Sequence, residues 1–84
     1  VAGLQLSALT VDDAITALTN RISLAKGTKT QEESKRMFIM ELESESEMLG
    51  LYPEYSDWTF DMHEAYKTRA NSEIEELKVY WGIA

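Results

Sequence analysis

The chain has 84 residues, of which 44% are apolar and 27% charged, so it reads as one small globular domain and not as a disordered segment. Fifteen acids against eight bases leave a net charge of −7, the wrong sign for a sequence-independent grip on phosphate backbones. With no cysteine there is no disulfide framework, thiolate zinc site or cysteine nucleophile, and no apolar run is long enough to span a membrane.

Residues 1–9 mix small and apolar side chains with Gly3 and Ser7 and read as an extended arm leading into the domain. No basic and then apolar leader opens the sequence, so no export signal is expected. Thr10 then takes the place of an N-cap, with Asp12 and Asp13 in the first turn, where carboxylates meet unpaired amides and the positive end of the helix dipole. Val11, Ile15, Leu18, Ile22 and Ala25 recur at helical spacing, and Gly27 offers a left-handed stop. A first helix is predicted over about 11–26.

Thr30-Gln31-Glu32-Glu33 has the form of a capping box, predicting a second helix over about 31–49 with Gly50 at its end. Phe38, Ile39, Leu42, Ser46 and Leu49 line its inner face, with Met37, Met40 and Met48 on the flanks. Helices one and two are expected to run antiparallel across the short turn at 27–29. Leu51 to Asp57 is a loop, because Pro53 cannot continue a helix and drives Tyr52 toward extended geometry.

Beyond the loop, Trp58, Met62, Ala65, Tyr66, Ala70, Ile74, Leu77 and Trp81 fall on one stripe and predict a third helix over about 58–81. A second capping box, Ser72 to Glu75, points to a kink or restart near Asn71. Alternation over 58–62 also fits a short strand, though the helical stripe extends much further. The expected fold is an all-α, three-helix domain spanning 1–84.

The sequence lacks the constellations that carry catalysis. His63 is the sole histidine, and position 67, where a helical zinc motif needs a second, is Lys67. It is expected to be a surface or half-buried histidine. No phosphate-cradling glycine loop or EF-hand spacing occurs, and no catalytic residue, metal or cofactor is expected.

Charge and aromatic placement say more. The thirty residues from Met37 to Tyr66 carry eight acids and no Lys or Arg, whereas Arg21, Lys26, Lys29, Lys35 and Arg36 precede them. A solvated outer face explains part of this. Two functional readings stand beside it. Basic and acidic ends could join copies head to tail, with Arg21, Lys29, Lys35 and Arg36 meeting Glu43 and Glu47. Alternatively, the carboxylates could stand in for phosphates in the basic cleft of a nucleic-acid enzyme, making the chain a small acidic module that inhibits or regulates one partner. Seven of eight aromatic residues follow Leu51. Three helices cannot cover them all, so Tyr52, Tyr55 and Trp81 are candidate contact residues.

Leu9-Thr10-Val11, Leu42 to Leu49, Pro53, Trp58-Thr59-Phe60 and Ala70-Asn71-Ser72-Glu73 follow one another in an order that spans about two thirds of the chain. That order of elements resembles the opening of head-to-tail adaptor proteins of tailed bacteriophages. Tyr55-Ser56-Asp57, between the proline and the tryptophan, departs from the family pattern. The resemblance implies a helical structural protein present in many copies as a ring below the portal, in the virion neck, where an acidic wall would let DNA slide. Its partners would be further copies of itself and a larger ring or portal-type protein, with no sequence-specific nucleic acid. Without the resemblance, a cytoplasmic protein is expected.

Overall fold

A computed structural model describes residues 9–83, so the expected arm over 1–9 lies outside the described residues except for Leu9. Helix α1 spans Val11–Thr28. Its start is the predicted one: the Thr10 hydroxyl accepts from the Asp13 amide at 3.0 Å, and the Asp13 carboxylate accepts from the Thr10 amide at 3.2 Å. Two otherwise orphaned donors are thereby satisfied. Its end differs from the prediction. The helix passes through Gly27, because the Thr28 hydroxyl donates back to the Leu24 carbonyl at 2.9 Å and extended Lys29 makes the exit. No left-handed residue is required there.

Helix α2 spans Glu32–Glu47. It begins one residue later than the Thr30 box requires, with Gln31 as N-cap and no side-chain capping bond. The later start leaves Thr30 a residue outside the cap position, so that box does not form. Glu32 instead accepts from Arg36 one turn on, at 2.6 and 2.9 Å. The helix also stops two residues early. Leu49–Leu51 and Pro53–Tyr55 each form a single 3₁₀ turn, with Pro53 at the first position of the second, where its missing amide costs nothing. Gly50 therefore sits inside a 3₁₀ turn and does not end a helix.

Helix α3 spans Phe60–Trp81, capped by the Thr59 hydroxyl, which accepts from the Met62 amide at 3.2 Å. Trp58 precedes the helix as a buried residue of the lead-in, and no strand occurs among the described residues. The restart near Asn71 is absent. Ala70, Ile74 and Leu77, each 1–2% exposed, fix the turns on both sides of Asn71 in one phase, and the Ser72 box finds no helix start to cap. The helix ends at Gly82, whose φ of 70° is the single left-handed value among the described residues. The Gly82 and Ile83 amides donate back to the Val79 and Lys78 carbonyls, closing the last turn.

The three helices run up, down and up. Arg21 beside Glu45 and Lys29 beside Phe38 set α1 and α2 antiparallel, as predicted. Arg69 beside Asp12 and Lys26 beside Tyr80 make α3 parallel to α1. Helix α3 packs against both of the others and supplies four buried residues, Tyr66, Ala70, Ile74 and Leu77. Of its predicted stripe, Ala65 alone is exposed. The bundle thus has a turn end, where α1 and α3 finish and α2 starts, and an opposite loop end bearing the 3₁₀ turns. No described helix is long and apolar enough to cross a membrane.

Candidate interaction surfaces

Segregated charge in the sequence becomes partly paired charge in the fold. Arg21 grips Glu45 with two nitrogens, at 2.6 and 3.2 Å, bridging α1 to the acidic half of α2. From the other side, Lys78 reaches Glu43 at 2.9 Å and Glu75 at 3.2 Å, while Lys67 lies 3.8 Å from Glu47. Donating to Glu45 holds the Arg21 guanidinium still more firmly protonated, and donating to Glu43 and then Glu75 raises the Lys78 pKa. Of the predicted interface charges, Arg21, Arg36, Glu43 and Glu47 are therefore all engaged within the chain. Exposed pairs of this kind contribute only about 0.2–1 kcal/mol each, so they lower the charge offered to a partner more than they hold the fold.

Lys29 and Lys35 are different. With Lys26 they have no carboxylate partner among the described residues and lie instead near aromatic rings at the turn end. Lys26 Nζ is 4.4 Å from the Tyr80 ring centre, Lys29 Nζ 5.5 Å from Phe38, and Lys35 Nζ 5.8 Å from Trp81. Phe38 and Trp81 meet edge to face at 6.0 Å. Ring faces attract cations by their quadrupole, which places two ammonium groups over the Phe38–Trp81 pair and a third over Tyr80. Tyr80 and Val79 are 61% and 70% exposed.

At the loop end, Trp58 is buried and organises its neighbours. Its indole nitrogen donates to the Leu9 carbonyl at 2.9 Å, tying the chain entering α1 to the lead-in of α3. Tyr55 stands edge-on to it at 4.8 Å, with Tyr66 and His63 tilted against it at 5.9 and 5.4 Å. Tyr52 and Tyr55 are accordingly half-buried against the core, not free on a loop. With Tyr66 and the Arg21–Glu45 pair they line a surface groove of about 310 Å³ over Ala14, Leu18 and Leu49. Burial pushes the Tyr66 and Tyr55 hydroxyls up in pKa, the latter helped by Glu54 and Glu45.

His63 is half-buried, as predicted, and shares a recess with Ser46. The buried Ser46 hydroxyl makes no hydrogen bond, so the imidazole is not placed to take its proton. Among the described residues no three His, Asp or Glu side chains gather as metal ligands would.

The nine predicted interface residues thus divide by place. Arg21, Tyr52 and Tyr55 share the groove; Lys29, Lys35 and Trp81 share the turn end; Arg36, Glu43 and Glu47 lie in separate ion pairs. The most exposed large apolar side chains were missed: Leu51 at 80% and Phe60 at 76%, both in the loop-end region, then Val79, Leu24, Met40 and Tyr80. Phe60 and Tyr80 fall off the apolar stripe of α3, and that departure was the available signal. No protein-family model, curated protein or solved structure matches the chain.

Proposed function

We propose that this chain is a non-enzymatic structural protein working in many copies, of the kind its sequence resembles: a head-to-tail adaptor forming a ring under a phage portal, in the virion neck, against further copies of itself and a larger ring protein. The observation that carries the reading is the amount of apolar surface left uncovered. Eight large apolar side chains are exposed among the described residues, on all three helices and in the loop-end turns. Where exposed apolar side chains gather, as at the two ends of the bundle, they offer anchors for contacts with other proteins, and docking would also stabilise a fold whose own core is modest.

The reading as a nucleic-acid mimic draws less support. It needs Glu41, Glu43, Glu45 and Glu47 free to face a basic cleft, and three of these four already meet a base within the chain. Sedimentation velocity of the purified chain over a hundredfold concentration range separates the two. The assembly reading predicts a mean mass that climbs above that of the monomer as concentration rises. A chain that stays monomeric, yet forms a salt-sensitive 1:1 complex with a basic nucleic-acid enzyme, would replace it with the inhibitor.

A further inference from the structure

We propose that copies of this chain join end to end, the lysine-bearing turn end of one docking on the acidic loop end of the next. The inference rests on the assembly reading and names the seam that assembly uses. The seam differs from the one the sequence suggested, because Arg21, Arg36, Glu43 and Glu47 are occupied within the chain.

Among the charges left over in the described residues, the bases gather at one end and three acids gather at the other, while Glu41 and Glu73 lie unpaired along the helices between. At the turn end, Lys26, Lys29 and Lys35 have no carboxylate partner among the described residues. Glu33 and Glu76 are the acids without a base among the described residues near this end, Glu32 being taken by Arg36 and Glu75 by Lys78. At the loop end, Glu54, Asp57 and Asp61 stand exposed and unmatched, in a stretch that holds no Lys or Arg.

Apolar anchors accompany each set. Val79 and Tyr80 stand out beside the lysines; Leu51 and Phe60 stand out beside the acids. Exposed apolar groups beside a cluster of three lysines at one end therefore face exposed apolar groups beside three unpaired acids at the other. Apolar anchors desolvated at the centre of a contact supply its affinity, while charges at its rim select the partner and set the register.

The sign pattern also decides the symmetry. Like ends repel, so a two-fold dimer through either end is disfavoured, and the contact between unlike ends is heterologous. Such a contact propagates. It closes into a ring where the rotation per copy permits and otherwise continues as a filament.

The test uses the purified full chain, light scattering at low salt, and two triple variants: Lys26→Glu/Lys29→Glu/Lys35→Glu and Glu54→Lys/Asp57→Lys/Asp61→Lys. Each alone should self-associate at least about tenfold more weakly than wild type, since both of its ends then carry one sign. Mixed one to one they should associate again as an alternating array, because every reversed end meets its opposite. Helical circular dichroism confirms that each variant is folded, and Phe60→Ser tests the apolar half of the seam without changing charge. Wild-type self-association that neither triple variant weakens would put the seam elsewhere, overturning this inference while leaving the assembly reading standing. A wild type that stays monomeric but binds a DNA duplex through the lysine end would overturn it as well.

Discussion

Leu77 and Leu51 are the same side chain in opposite surroundings, and truncating each to alanine tests the packing directly. Leu77, on the central face of α3, is 1% exposed, whereas Leu51, in the first 3₁₀ turn, is 80% exposed. Leu77→Ala removes interior apolar volume and leaves a cavity lined by helices that relax only in part, a loss of about 3 kcal/mol. A domain of 84 residues holds roughly 4–13 kcal/mol in total, so this one change consumes a quarter or more of the stability. The melting temperature should fall by about 12–24 °C. Leu51→Ala deletes groups already in water and should cost no more than about 0.5 kcal/mol, while weakening self-association through the loop end. Urea titrations followed at the helical circular-dichroism band read both values, with an unchanged denaturant slope confirming that the folded state is intact. A Leu77 variant within about 1 kcal/mol of wild type would refute the placement of α3 at the centre of the bundle. So would equal losses at the two positions.

Four further outcomes follow from particular contacts. Ser46→Ala replaces a buried, unpartnered hydroxyl with a methyl group in the last turn of α2 and should stabilise the chain by about 0.5–1 kcal/mol in the same titration. Thr59→Ala removes the cap of α3 and should cost about 1 kcal/mol, whereas Thr30→Ala should cost almost nothing, since Thr30 caps no helix. Gly82→Ala puts a Cβ on a left-handed residue and should cost roughly 1–2 kcal/mol even though open space surrounds it, read as a lower melting temperature. Stability should also fall in alkali. The Tyr55, Tyr66 and Lys78 pKa values are all raised in the folded chain, so the unfolded chain releases these protons first; stability is full below about pH 10 and declines as pH rises through the folded values. Tyr66→Phe should shallow that decline in melts across the alkaline range.

Much of the fold was legible because it rests on periodicity. The stripes Ile15-Leu18-Ile22-Ala25 and Ala70-Ile74-Leu77 are buried as their spacing requires, and Thr10 caps α1 with the partner its position implies. What misled were local signals with more than one outcome. The Thr30 and Ser72 boxes are sound capping patterns, yet one lies a residue outside its helix and the other within a continuous one, because burial on neighbouring turns decides where a helix starts. Gly27 permits a left-handed stop but does not demand one, and the Thr28 back-bond carries the helix past it.

The surface was less readable for a related reason. Charges distant in sequence become neighbours in space: Arg21 and Glu45 are 24 residues apart, and Lys78 lies 35 residues beyond Glu43, so a bipolar sequence folds into a partly neutralised one. Counting residues could not foresee which charges would remain free. Nor could it tell that Tyr55 would lean on Trp58 and Tyr52 on the core while Phe60 and Tyr80 stayed in water.

Crosslinking mass spectrometry on the native source material tests the central claim most directly. The account predicts links between copies of this chain, joining Lys26, Lys29 or Lys35 to the acidic stretch 54–61, together with links to one larger ring protein. Links confined to a single basic enzyme at one copy each, with none between copies of the chain, would contradict it.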